Sequence, residues 1–148
     1  MVEKSFDPSK DVVFVAGERI FIIDDNIDFL EMCSKRLEHE GYQVCSFGNA
    51  HEAIKAIRIQ KPDLVISDIK MPGLNGIEVC DLLGSNAYTR HIPIILMTGF
   101  FEKQAHIESL NIKPLFLLKK PFGAKDLLTT VRAAIDSSYN FEDYLAKS

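Results

Sequence analysis

The sequence has no tryptophan, three cysteines and no apolar run long enough to cross a bilayer. A membrane-spanning helix needs about 20 consecutive apolar residues, so no part of the chain is expected to lie in a membrane. The N-terminal residues are polar and lack the apolar centre of a signal peptide. Cys33, Cys45 and Cys80 are odd in number and lie at no metal-ligand spacing. They favour reduced core thiols in a cytoplasmic protein.

The chain also carries little net charge. Its formal charge is -4 over 148 residues, and 26% of the residues are charged. This balance gives no general attraction to nucleic acid. Hydrophobic residues make up 47%, so the length and composition suit one domain with a sizeable core.

Apolar runs alternate with amphipathic stretches along the chain. Strands are predicted near 19–24, 42–47, 63–67, 93–97 and 114–118. Helices are predicted near 27–40, 50–60, 76–86, 102–110 and 124–137. Strict alternation with short connections predicts an α/β fold, in which helices cover both faces of a parallel sheet.

Local signals mark several helix starts. Asn26, Asn49 and Asn75 stand where a capping side chain is expected. In the first helix, Ile27, Leu30 and Leu37 are predicted to form the inner face.

Chemically active side chains follow four of the predicted strands. Asp24-Asp25 ends the first strand, Asp68 the third, Thr98 the fourth and Lys120 the fifth. Open α/β folds build their sites at the carboxyl ends of their strands. An acid pair, an acid, a hydroxyl and a lysine at one edge would suit Mg²⁺ and a phosphoryl group.

Each of these motifs is weak alone. Acids such as Asp24-Asp25 can simply begin a helix, and Thr98 can be an ordinary strand-end residue. In combination the motifs are specific, because Thr98 lies thirty positions after Asp68 and Lys120 twenty-two after Thr98.

These motifs resemble the receiver domain of two-component response regulators. The resemblance covers about residues 18–136 and rests on Asp24-Asp25, Asp68, Met71-Pro72-Gly73, Gly76, Thr98-Gly99 and Lys120-Pro121-Phe122. It implies a flavodoxin-like, doubly wound five-stranded parallel sheet with strand order 2-1-3-4-5. The implied division is an N-terminal extension, 1–17, a receiver domain, 18–137, and a C-terminal extension of the last helix or tail, 138–148.

The resemblance also implies an acidic metal site. Asp68 is then the phosphoacceptor. Asp25, Asp68 and the backbone carbonyl of Lys70 would hold Mg²⁺, and Asp24 would act through a water molecule.

Further residues are implied to bind the phosphoryl group. Thr98 and Lys120 would contact its oxygens, Gly99 would leave room beside them, and the bond before Pro121 would be cis. The expected phosphodonor is a sensor histidine kinase or a histidine phosphotransfer protein. The expected target is an output domain or a downstream protein, with the receiver a monomer or weak dimer that binds no nucleic acid directly.

Two alternatives stay open, a degenerate receiver that only binds partners and an aspartyl-phosphate phosphatase. Phosphatases of the haloacid dehalogenase type need a second acid two residues after the nucleophile, where this chain has Lys70. The chain also departs from the receiver pattern. Leu117 stands where receivers carry a switch aromatic, and Phe116 where many carry a dimer-forming acid.

The two ends of the sequence allow more than one structure. The apolar run 12–15 predicts either an edge strand or an ordered tail. Tyr139, Phe141, Tyr144 and Leu145 indicate a last helix that continues over the core, or a segment that binds a partner.

Overall fold

A computed structural model describes residues 17–99 and 115–147, with side chains given for 17–99 and 116–137. The strands are β1 Arg19–Ile23, β2 Gln43–Phe47, β3 Leu64–Asp68, β4 Ile94–Thr98 and β5 Leu115–Lys119. The helices are α1 Ile27–His39, α2 Ala50–Gln60, α3 Gly76–Gly84 and α4 Ala124–Lys147. The predicted helix near 102–110 and the apolar run 12–15 lie outside the described residues.

The described strands form one parallel sheet in the order β2-β1-β3-β4-β5, which confirms the expected topology. The register pairs Ile23 with both Phe47 and Ser67, and Asp68 with Met97. It also pairs Thr98 with Lys119. All of these pairs lie at the carboxyl ends of the strands, so the residues that follow meet at one edge of the sheet.

Each face of the sheet packs against two of the described helices. On one face α2 and α3 cover a cluster that includes Phe21, Ile23, Val65, Leu96, Ile57 and Val79. On the other, α1 and α4 cover a cluster that includes Ile20, Ile22, Ile66, Met97, Leu37 and Val131. Successive strand residues point to opposite faces. The central strands are therefore apolar throughout because both their faces are buried.

Three asparagines cap the helix starts as predicted. The side chains of Asn26, Asn49 and Asn75 each accept a hydrogen bond from a backbone N–H three residues later. Asn75 and Glu78 form a reciprocal capping box, because the Glu78 carboxylate accepts from the Asn75 backbone N–H at 3.1 Å. The inner face predicted for α1 was partly wrong, since Ile27 is 72% exposed while Leu30 and Leu37 are buried.

The last helix extends beyond the range 124–137, in agreement with the expectation that it continues past Ser137-Ser138. It continues through Ser137 and Ser138 to Lys147. None of the described helices is both long enough and apolar enough to span a bilayer.

Candidate phosphoryl and metal site

Three carboxylates converge at the carboxyl edge of the sheet. Asp24 and Asp25 directly follow β1, and Asp68 is the last residue of β3. One oxygen from each of them lies within 4.8 Å of the others. Asp24 is buried, Asp25 is exposed and Asp68 is partly buried. The cluster therefore runs from the interior to the surface, and oxygen ligands of this kind suit a hard dication.

Asp24 is held in place through both of its carboxylate oxygens. Its Oδ1 accepts a hydrogen bond from the backbone N–H of Asn26 at 2.9 Å. Its Oδ2 accepts one from the Lys120 ammonium at 2.7 Å. The Asp24 backbone N–H donates to the carbonyl oxygen of Phe47 at 3.1 Å. These bonds satisfy a carboxylate that is only 1% exposed, as a buried charge requires.

Lys120 is the positive charge at the centre of the site. Its Nζ lies 3.4 Å from Asp68 Oδ1, in addition to the 2.7 Å contact with Asp24. Burial on its own would lower the pKa of Lys120. The hydrogen bond and charge of Asp24, together with Asp68, outweigh burial and raise the pKa above its usual value. Lys120 is therefore a fixed cation at neutral pH.

The surroundings of Asp68 destabilise its charged, carboxylate form. Burial, then the nearby charge of Asp24, raises its pKa to about 6, although Lys120 acts in the opposite direction. The Lys120 ammonium contacts two of the three carboxylates, Asp24 and Asp68, so the cluster keeps an excess of negative charge. A dication held among these oxygens would offset that charge, and the donor set present therefore fits Mg²⁺.

The loop after Asp68 folds back toward the sheet. The backbone N–H of Gly76 donates to the carbonyl oxygen of Ile69 at 2.9 Å. A Cβ at Gly76 would overlap the carbonyl oxygen of Asp68, so only glycine lets α3 begin so close to this strand end. A pocket of about 410 Å³ in the loop that follows Asp68 is lined by Ile69, Lys70, Met71, Pro72 and Asn75.

The ends of β4 and β5 complete the edge. Thr98 is buried, and Gly99 follows it. The backbone N–H of Lys120 donates to the carbonyl oxygen of Thr98 at 2.7 Å, and the Lys120–Pro121 peptide bond is cis. The side chain of Lys119 is exposed, whereas that of Lys120 turns into the acidic cluster.

The structure thus brings Asp24, Asp25, Asp68 and Lys120 into one cluster, with Thr98 and Gly99 at the same edge. Sequence reasoning missed Phe29, whose ring centroid lies 4.3 Å from Lys120 Nζ. No local motif marks this residue, because the contact joins α1 to the loop after β5.

Comparison with known sequences places the chain in a large group of proteins. A sequence model of the family described as "Response regulator receiver domain" matches residues 20–132. The DNA-binding response regulator MtrA of Mycolicibacterium paratuberculosis is 32% identical over 118 residues, covering 80% of this chain and 51% of that protein. The phosphate regulon transcriptional regulatory protein PhoB of Pseudomonas aeruginosa is 32% identical over 121 residues, covering 82% and 53%. The chain therefore spans about half the length of these relatives.

Solved structures agree with this grouping. The signal receiver domain of a signal transduction histidine kinase from Syntrophus aciditrophicus superposes with a TM-score of 0.74 at 29% identity, covering 81% of this chain and 91% of that one. The Vibrio cholerae chemotaxis protein CheY4 gives a TM-score of 0.73 at 26% identity, covering 80% and 99%. Sequence, topology and site lead to the same assignment: this chain belongs to the response regulator receiver domain family of two-component signalling.

Proposed function

We propose that this receiver takes a phosphoryl group onto Asp68 from a phosphohistidine of a sensor kinase or phosphotransfer protein. The observation that supports this proposal is the position of the Asp68 carboxylate, at a strand end close to Lys120 and to the acid pair Asp24-Asp25. Its side chain is 13% exposed, so it is reachable from the surface yet held in a defined direction. Asp24 is only 1% exposed and both its oxygens already accept hydrogen bonds, which favours Asp68 as the acceptor.

The proposed step is an in-line displacement at phosphorus. An Asp68 carboxylate oxygen forms the new P–O bond while the P–N bond to the donor histidine breaks, and the released imidazole nitrogen takes a proton from solvent. A carboxylate attacks an anionic phosphoryl group only where charge is neutralised in advance. Lys120 provides one fixed positive charge for that purpose.

Asp25 and Asp68 are proposed as direct ligands of Mg²⁺, with the backbone carbonyl of Lys70 as a third. Asp24 is proposed to act through a water molecule, because Asn26 and Lys120 already engage its two oxygens. When bound, Mg²⁺ would neutralise charge on the phosphoryl oxygens.

The conformational response is proposed to begin at Thr98. Its hydroxyl would bond a phosphoryl oxygen, and Gly99 would leave room for close approach of the backbone beside it. Leu117 is half-buried and packs against the cluster beneath α2 and α3. It has no polar group to exchange between core and solvent, so we expect the response to concentrate in residues 99–110. A ligand need only bias two existing states to produce it.

The proposed target is an output domain or a separate downstream protein. MtrA and PhoB extend well beyond the region that they share with this chain, which supports control of further domains. A monomer or weak dimer is proposed for the receiver itself. The described cysteines are all free thiols, as is usual for proteins of the cytoplasm.

The test is phosphorylation by a small-molecule phosphodonor with Mg²⁺, read by intact mass and peptide mapping. One phosphoryl group should appear, on Asp68, and Asp68→Asn should abolish it. Asp63→Asn is the matched control, because Asp63 is exposed and lies before β3, at the opposite end of that strand. Full labelling of Asp68→Asn at another residue would contradict the assignment. No labelling of the wild type would favour a receiver that only binds partners.

A further inference from the structure

An aromatic ring covers the ammonium group of Lys120. Phe29 lies in the first turn of α1, and its ring centroid is 4.3 Å from Lys120 Nζ. Phe122, two residues after Lys120, packs edge-on against Phe29 with ring centroids 5.6 Å apart and planes at 79°. The Phe29 ring thus contacts both the Phe122 ring and the Lys120 ammonium.

The Lys120 ammonium is therefore enclosed by three groups. Asp24 Oδ2 lies 2.7 Å away, Asp68 Oδ1 lies 3.4 Å away, and the Phe29 ring lies against it. The face of a phenyl ring attracts a cation through its quadrupole, most strongly where water is excluded. The side chain of Lys120 is 27% exposed, so the contact is partly shielded from solvent.

A lysine needs such restraint because its four-carbon stem is flexible. Immobilising it costs rotamer entropy. A phenyl ring has no hydrogen-bond donor or acceptor that competes for a phosphoryl oxygen. It can therefore contact the ammonium without itself binding a phosphoryl oxygen.

We propose that Phe29 is a positioning residue that holds the Lys120 ammonium at the acceptor site before a phosphoryl group arrives. The expected effect on the phosphorylation rate rests on the proposed function. The expected effect on the position of the Lys120 ammonium rests only on its contact with the Phe29 ring. Leucine at position 29 would preserve apolar packing but remove the quadrupole. Tyrosine and tryptophan would keep a ring face for the cation.

The first measurement is the NMR shift of the Lys120 ε-methylene protons, which needs no phosphorylation. Protons next to a ring face move upfield, so the wild type, Phe29→Tyr and Phe29→Trp should show an upfield signal. Phe29→Leu should lose it. Phe116→Leu is the matched control, because Phe116 is half-buried against the same core cluster. It should keep the upfield signal.

The second measurement is the rate of labelling by a small phosphodonor with Mg²⁺. Phe29→Leu should be about 3- to 10-fold slower, the range that a partly shielded cation–π contact would produce. Phe29→Tyr and Phe29→Trp should stay within about 2-fold of the wild type, as should Phe116→Leu.

Each outcome decides between positioning and simple packing. Equal slowing in Phe29→Leu and Phe116→Leu would overturn the proposal, because loss of core volume would then explain both. An unshifted Lys120 signal in the wild type would also overturn it. If the wild type takes no phosphoryl group, the proposed function fails. The NMR measurement then decides by itself whether Phe29 contacts the Lys120 ammonium.

Discussion

At the scale of single residues, the two lysines at the end of β5 are expected to behave differently. Lys120→Ala removes the partner of the buried Asp24 carboxylate, so the free energy of unfolding should fall by about 1–3 kcal/mol without Mg²⁺. Part of the lost stability should be regained when Mg²⁺ is added, because the metal ion then supplies positive charge to the same acids. Urea unfolding with and without Mg²⁺ measures both effects.

Lys119→Ala is the control for that change, because it removes the same charge from an exposed side chain. It should alter stability by less than about 0.5 kcal/mol. A larger loss for Lys119→Ala than for Lys120→Ala would mean that the register of this strand end had been misassigned.

The residues that the sequence predicted best are those with a chemical signature at a strand end. Asp24, Asp68 and Lys120 meet because parallel strands bring their carboxyl ends to one edge. Phe29 was not predictable in the same way. Its contact with Lys120 depends on how α1 approaches the loop after β5, and nothing in the local spacing of either segment specifies that approach. Ile27 was misjudged because it opens the helix, where an apolar residue can project past the sheet.

At the scale of elements, the start of α3 depends on one glycine. Gly76→Ala would place a methyl group against the carbonyl oxygen of Asp68, so α3 or the strand end must shift. We expect a loss of about 2–3 kcal/mol in the free energy of unfolding. A weaker response to phosphodonor should accompany it, because the displaced backbone carries Asp68, the proposed acceptor.

Gly48→Ala is the matched control. A Cβ at Gly48 would have no neighbour within 4 Å, and the smaller entropy of the unfolded chain should offset any local cost. Thermal or urea unfolding of the two variants gives the comparison. Similar losses in both would indicate general sensitivity to alanine, rather than a close approach between α3 and β3.

The strands were predictable as elements because burial on both faces leaves continuous apolar runs. Each lies within one residue of its predicted bounds. The end of α4 was harder to predict. The sequence left two structures open after Ser138, a continued helix and a segment that binds a partner. Serine costs a helix only roughly a few tenths of a kcal/mol relative to better formers, and the helix continues to Lys147.

At the scale of the whole molecule, Mg²⁺ binding should stabilise the native state. A ligand that binds only the folded chain adds about 1.4 kcal/mol at about ten times its Kd. The thermal midpoint should therefore rise with Mg²⁺ for the wild type. Asp25→Asn should lose most of the rise, because it removes a proposed direct ligand.

Asp136→Asn is the control, since Asp136 is an exposed acid on α4, away from the three-carboxylate cluster. It should keep the full response to Mg²⁺. Equal loss in both variants would point to diffuse attraction of cations by an acidic protein and not to a coordination site.

The order of the strands is a property of the whole molecule that alternation alone did not determine. Alternating strands and helices predict a parallel sheet with helices on both faces, but several strand orders satisfy that pattern. The order 2-1-3-4-5 came with the family resemblance. The structure confirms it.

The bond between Lys120 and Asp24 joins positions 96 residues apart, and this separation has a consequence for synthesis. A ribosome makes all three acids in the first half of the chain, but the lysine emerges only with the last strand. A nascent or truncated chain that ends before β5 has the three acids without the ammonium that contacts Asp24 and Asp68 in the complete sheet. If Asp68 is the acceptor, as proposed, we expect such an unfinished chain to take up a phosphoryl group poorly.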